Sequence, residues 1–139
     1  RLGFALGSSE IIEDLEKLKY STNPYNVNRL TLKLGAAAVD SDDYFRANAR
    51  RIMDTRAKAT QALRELGFTV PDSQANFLFI THPKLDGGEF YAKCKEKGVL
   101  IRHFSDPVIA QYNRVTIGVE EEMETFLQVV QEIMKEEGL

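Results

Sequence analysis

The sequence predicts an α+β fold in which a small, mostly antiparallel sheet is covered on one face by helices. Three observations carry that prediction. Ala75–Thr81 (ANFLFIT) is a short apolar run bounded by polar residues, the signature of a strand. Val99–Phe104 and Arg114–Gly118 are two further β-rich runs joined by a polar loop. Helical patterns interleave with these runs, so that after residue 67 the order is strand, strand, helix, strand, strand, helix, preceded by a long helix.

Each element has its own justification. Leu2–Leu6 reads as a short strand, and Gly7-Ser8 turns it into a helix with Ser8 as N-cap and Glu10 in the first turn. Ile11, Leu15 and Leu18 make one apolar stripe on that helix, which is predicted to end near Tyr20. Ser21–Asn26 is a loop by its turn residues, with Pro24 holding Asn23 extended. A second helix runs from after Asn26 to about Val39, where Gly35-Ala36-Ala37-Ala38 offers a smooth surface for close packing. Asp40-Ser41-Asp42-Asp43 breaks it and starts another, with acidic residues suited to the helix dipole. Tyr44–Leu66 is then a long helix closed by Gly67.

Phe68–Val70 is predicted as an edge strand stopped by Pro71, and Ala75–Thr81 as a strand in the sheet interior. Asp86 and Glu89 resemble a capping box for a helix that runs to Lys97 and stops at Gly98. The closing helix, Glu120–Glu137, presents Met123, Phe126, Leu127, Val130, Ile133 and Met134 on one side. Its cap position holds Val119, which cannot accept a hydrogen bond through its side chain.

At 139 residues the chain has room for one domain, and 43% hydrophobic residues suffice for a core. A net charge of −3 gives no reason to expect nucleic acid or an anionic membrane as partner. No segment approaches the roughly 20 apolar residues that span a bilayer, so a cytoplasmic protein is the default. The single cysteine, Cys94, rules out an internal disulfide and reads as a small packing residue. His82 and His103 lack companions at metal-ligand spacing, and no metal is expected.

Chemistry concentrates in the two runs that each carry one arginine, Arg102 and Arg114. Guanidinium is planar and always charged, and two of them on neighbouring strands would make a fork-shaped receptor for carboxylate or phosphate. The plainer account stands beside it: Arg114 shares a strand face with Thr116 while Val115 and Ile117 point the other way, as for an ordinary solvated arginine. Arg102 has apolar face neighbours, Leu100 and Phe104, and an arginine buried among them would need a partner.

Taken together, RLGFALG at 1–7, NPYNVNRLT at 23–31, QANFLF at 74–79, GVLIRHF at 98–104 and NRVTIG at 113–118 resemble the C-terminal part of the fold-type I aminotransferases that depend on pyridoxal 5'-phosphate, most closely the histidinol-phosphate aminotransferases. The resemblance covers essentially the whole chain. It implies that residues 1–40 are a remnant of the large cofactor domain with the interdomain helix, and that residues 41–139 are the C-terminal small domain. It implies that Arg1 binds the cofactor phosphate, with the Schiff-base lysine upstream of the chain start, and that Arg102 and Arg114 bind the anionic end of a phosphorylated or carboxylate substrate. It further implies a homodimeric enzyme exchanging an amino group between histidinol phosphate and 2-oxoglutarate, and a fragment inactive alone. A departure is Val119, where the family often has a capping Thr or Ser. A related aromatic amino-acid aminotransferase or a phospho-amino-acid decarboxylase would suit the same arginines, and a non-catalytic anion-binding or dimerisation module could share the layout.

Overall fold

Alternation of exposure along the strands fixes which way the sheet faces. In the computed structural model, which describes residues 2–139, strand β1 (Phe77–Ile80) buries Leu78 and Ile80 and turns Phe77 and Phe79 outward. A later strand, Asn113–Thr116, buries Asn113 and Val115 and exposes Arg114 and Thr116. Between them in the chain lies β2 (Arg102–His103), which makes the later strand β3. The three form an antiparallel sheet in the order β1-β3-β2, with Leu78 opposite Val115 and Ile80 opposite Asn113. The inner face is therefore mostly apolar, with Asn113 and its ladder partner His103 as its polar residues.

Three helices cover that face, and their spacing explains why. Helix α3 (Asp42–Glu65) contributes Ala59 and Leu63, α4 (Gly87–Glu96) contributes Phe90 and Cys94, and α5 (Glu120–Glu136) contributes Met123, Phe126, Val129, Val130, Ile133 and Met134. Burial pushes the Cys94 thiol up to about 12, so it stays protonated and acts as a packing group. Lys93 pairs with Glu137, and Lys97 with Glu136 at 2.7 Å, tying α4 to α5. Surface pairs of this kind contribute little to stability, so the apolar cluster holds the layer. The predicted α+β layer with three covering helices is what the chain forms.

The chain divides into two compact units, the second being Ala47–Leu139, and the division falls within α3 after Arg46. The first unit holds α1 (Ser9–Thr22) and α2 (Arg29–Asp40). Helix α1 runs two residues past Tyr20, and there the Ser21 and Thr22 hydroxyls donate to the carbonyls of Lys17 and Leu18. Asn28 caps α2 through Thr31 N–H at 2.8 Å. A Cβ on Gly35 would come within 2.1 Å of Leu2 Cδ2, so the exposed Leu2 side chain would have to turn aside for a larger residue.

Four strand predictions are corrected. Leu2–Leu6 forms no strand: residues 2–7 are irregular and exposed, since the first unit holds no second strand among its described residues to supply a ladder. Phe68–Val70 reduces to one bridged pair, Thr69 with Thr81, while Phe68 and Val70 are buried in the core. Val99–Phe104 keeps only Arg102 and His103 in the ladder. Finally, β1 lies at the sheet edge, not its interior. Its continuous apolar run arises because Leu78 and Ile80 enter the core while Phe77 and Phe79 meet aromatic and cationic groups on the outer face.

Val119 does begin the last helix. It is extended and offers no side-chain acceptor, but Glu122 reaches back to its N–H at 3.1 Å, supplying half of a capping box.

His82 packs where α3 ends and the sheet begins. It is 8% exposed, its ring centroid is 5.0 Å from that of Phe68, and its Nδ1 accepts the Lys84 N–H at 3.3 Å. Burial holds its pKa below the ordinary histidine value, with the Lys84 charge adding to the effect. Below about pH 6.5 the unfolded chain binds a proton that the fold resists, so the stability His82 contributes is complete above that pH and is lost as pH falls towards the lowered folded value. The urea midpoint should drop between about pH 7.5 and about pH 5.5, and His82→Gln should make the drop smaller. An equal drop in both proteins would assign it to other groups.

Candidate anion-binding site

The central strand carries Arg114 and its edge neighbour carries Arg102, and their Cα atoms are direct partners in the ladder. Residues directly opposed on antiparallel strands point to the same side, and here that side is the outer face, where both arginines are exposed. Arg102 is thus not buried among apolar neighbours. Like charges so placed are destabilising. Carboxylates lie within ion-pair distance of Lys58, Arg64, Lys93 and Lys97, yet among the described residues neither Arg102 nor Arg114 has such a partner.

Aromatic rings surround the pair. The Arg114 guanidinium carbon lies 5.4 Å from the Phe77 ring centroid, and that of Arg102 lies 5.4 Å from the Phe104 centroid. Phe104 follows Arg102 by two residues and so shares its face, and Phe77 is the diagonal cross-strand neighbour of Arg114. Phe79, directly opposite Arg114, stacks on Tyr112 at 4.5 Å with 10° between the planes, and meets Phe104 edge-on at 6.1 Å. Of these four rings the sequence pattern places Phe104 alone beside an arginine, and Phe77, Phe79 and Tyr112 are not expected there. The signal was the alternation in β1, which puts both phenylalanines on the face opposite Leu78 and Ile80.

On the inner face, Asn113 is 1% exposed and its Nδ2 donates to the Gly87 carbonyl at 2.9 Å. Gly87 meets the preceding turn so closely that a Cβ there would lie 2.4 Å from the Ala110 carbonyl oxygen. Asp86 accepts the N–H groups of Gly88 at 2.9 Å and Glu89 at 3.1 Å, and the Gln111 side chain at 3.2 Å. Those bonds, that from Glu89 foremost and then Gln111, hold its carboxyl below the usual range. The start of α4 is in this way fastened to residues 110–113, which lead straight into Arg114.

Two arginines on rigid neighbouring strands have the geometry to grip a small anion. The family model for aminotransferases of class I and II matches residues 1–130, and the chain belongs to that family. It is 42% identical over 135 residues to a histidinol-phosphate aminotransferase of Brachyspira hyodysenteriae, covering 97% of this chain and 38% of that protein. The crystal structure of the histidinol-phosphate aminotransferase from Clostridium acetobutylicum superposes with a TM-score of 0.81 at 20% identity, over 89% of this chain and 38% of that one. A decarboxylase from Sulfurospirillum multivorans superposes at 0.75 with 19% identity, over 92% of this chain and 37% of that one, a likeness of fold alone. The chain therefore spans a little over a third of the length of these relatives.

Members of this family generally use pyridoxal phosphate. Arg1, the residue that the resemblance assigns to the cofactor phosphate, lies outside the described residues. A Schiff-base lysine needs a lowered pKa, whereas Lys58, Lys93 and Lys97 are all raised, each chiefly by a hydrogen bond to a glutamate. Those three lysines therefore do not suit a Schiff-base role.

Because Gly87 fastens α4 to the turn before Arg114, Gly87→Ala should lower stability by about 1–3 kcal/mol, the cost of overpacking against fixed backbone. Chemical denaturation checks it, and an unchanged midpoint would show that the turn can move aside freely.

Proposed function

We propose that the chain is part of a pyridoxal-phosphate-dependent aminotransferase that transfers an amino group between histidinol phosphate and 2-oxoglutarate, with residues 1–40 a remnant of the large cofactor domain and residues 41–139 its C-terminal small domain. The observation that carries this reading is the opposed pair Arg102 and Arg114, exposed on one sheet face without a carboxylate partner among the described residues. Family membership and the names of the relatives at about 40% identity support it.

In this reading the two guanidiniums grip the phosphate of histidinol phosphate, or a carboxylate of 2-oxoglutarate, at a point remote from the reacting amine. Binding energy gathered there orients the amine for reaction. Arg1 holds the cofactor phosphate, and pyridoxal phosphate supplies the electron sink from a site completed by residues outside this chain. The enzyme is a cytoplasmic homodimer, and the 139 residues alone are inactive. A non-catalytic anion-binding module would instead bind its ligand tightly as the isolated chain.

In the full-length enzyme, Arg114→Ala should reduce kcat/KM for histidinol phosphate by roughly 30- to 1000-fold, about 2–4 kcal/mol, and much less for histidinol, which lacks the phosphate. Arg114→Lys should recover only part, because an ammonium cannot make the bidentate fork. Equal losses with both substrates would make Arg114 a structural residue and remove the basis of the proposal.

A further inference from the structure

The rings under the two arginines have a role that follows from how guanidinium divides its interactions. Its five N–H donors all lie in the plane, so hydrogen bonds to an oxyanion form at the edge, while an aromatic ring takes the face. The Arg114 guanidinium carbon lies over the Phe77 ring and that of Arg102 over the Phe104 ring, at 5.4 Å each, and among the described residues no carboxylate pairs with either arginine. Both rings are half-buried, and Phe104 is braced edge-on by Phe79 at 6.1 Å, itself stacked on Tyr112 at 4.5 Å. A long, exposed arginine would otherwise lose much rotamer freedom on gripping a ligand.

We propose that Phe77 and Phe104 are positioning residues, aromatic platforms that hold the planes of Arg114 and Arg102 ready so that their edges take an oxyanion together. This rests on the reading of the arginines as an anion receptor. The platform needs a π-face and not merely apolar bulk, so tyrosine should serve in place of phenylalanine and leucine should not.

The test is NMR of the 139-residue chain labelled at arginine, titrated with inorganic phosphate. In the unmutated chain the side-chain Nε–Hε signals of both arginines should lie upfield, as expected of protons over a ring, and should shift on addition of phosphate with weak affinity. Phe77→Leu should move the Arg114 signal downfield and weaken phosphate binding about two- to fivefold, the range for an exposed cation–π contact. Phe104→Leu should do the same through Arg102, and Phe77→Tyr and Phe104→Tyr should restore both properties. If one leucine variant loses its circular dichroism spectrum, the other carries the decision. Leucine variants that bind phosphate as the unmutated chain does, or tyrosine variants no better than leucine, would overturn the platform role while leaving the receptor intact. Failure of phosphate to move either arginine in the unmutated chain would instead remove the receptor reading, and the platform role with it.

Discussion

The register of β3 between its two neighbours is the constraint on which the rest depends. Side chains alternate along a strand, so a slip of one residue would send Arg114 into the core and bring Val115 out to solvent. Three features hold the register. Leu78 and Ile80 of β1 stand opposite Val115 and Asn113. Asn113 is tied to the Gly87 carbonyl, and Gly87 sits too close to the Ala110 carbonyl for any larger residue. Burying the Asn113 Nδ2 group is costly unless it is bonded, so its bond to the Gly87 carbonyl favours this alignment of strand, turn and helix, while its Oδ1 is buried without a partner among the described residues.

With the register set, Arg102 and Arg114 have no choice but to share a face. Opposed like charges on a sheet cost on the order of 0.2–1 kcal/mol, and each exposed cation–π contact returns about 0.5–1 kcal/mol. Repulsion and ring contacts are therefore of similar size, and the arrangement can persist without an internal carboxylate. Pairing either arginine with an acidic side chain would have relieved the repulsion but filled the edge donors. The same sheet thus uses its inner face for stability, through the cluster from α3, α4 and α5, and carries both arginines on its outer face.

Helices were the most legible part of the sequence, because their signals are local. The stripe from Met123 to Met134, the cap at Asp86 and the positive-φ glycines Gly67 and Gly98 all lie within a few residues of the ends or faces they define. Strands were less legible because a ladder needs a partner far along the chain. Leu2–Leu6 has strand-like composition but no partner among the described residues, Thr69 is bridged to Thr81 outside any longer ladder, and β1 looked like an interior strand because apolar residues fill both its faces. The arginines could be picked out one by one from their residue type and from family resemblance. Their direct opposition, and the rings that flank them, depend on register and emerge only with the sheet in place.

The central claim is that Arg102 and Arg114 act on one anion together. A double-mutant cycle in the full-length enzyme tests it most directly, comparing kcat/KM for histidinol phosphate in Arg102→Ala, Arg114→Ala and the double variant. If the two grip a single group, the double loss should fall short of the sum of the single losses by at least about 1 kcal/mol, since either deletion already spoils the shared site. Losses that add to within about 0.5 kcal/mol would mean that the two arginines act independently, and would contradict the account.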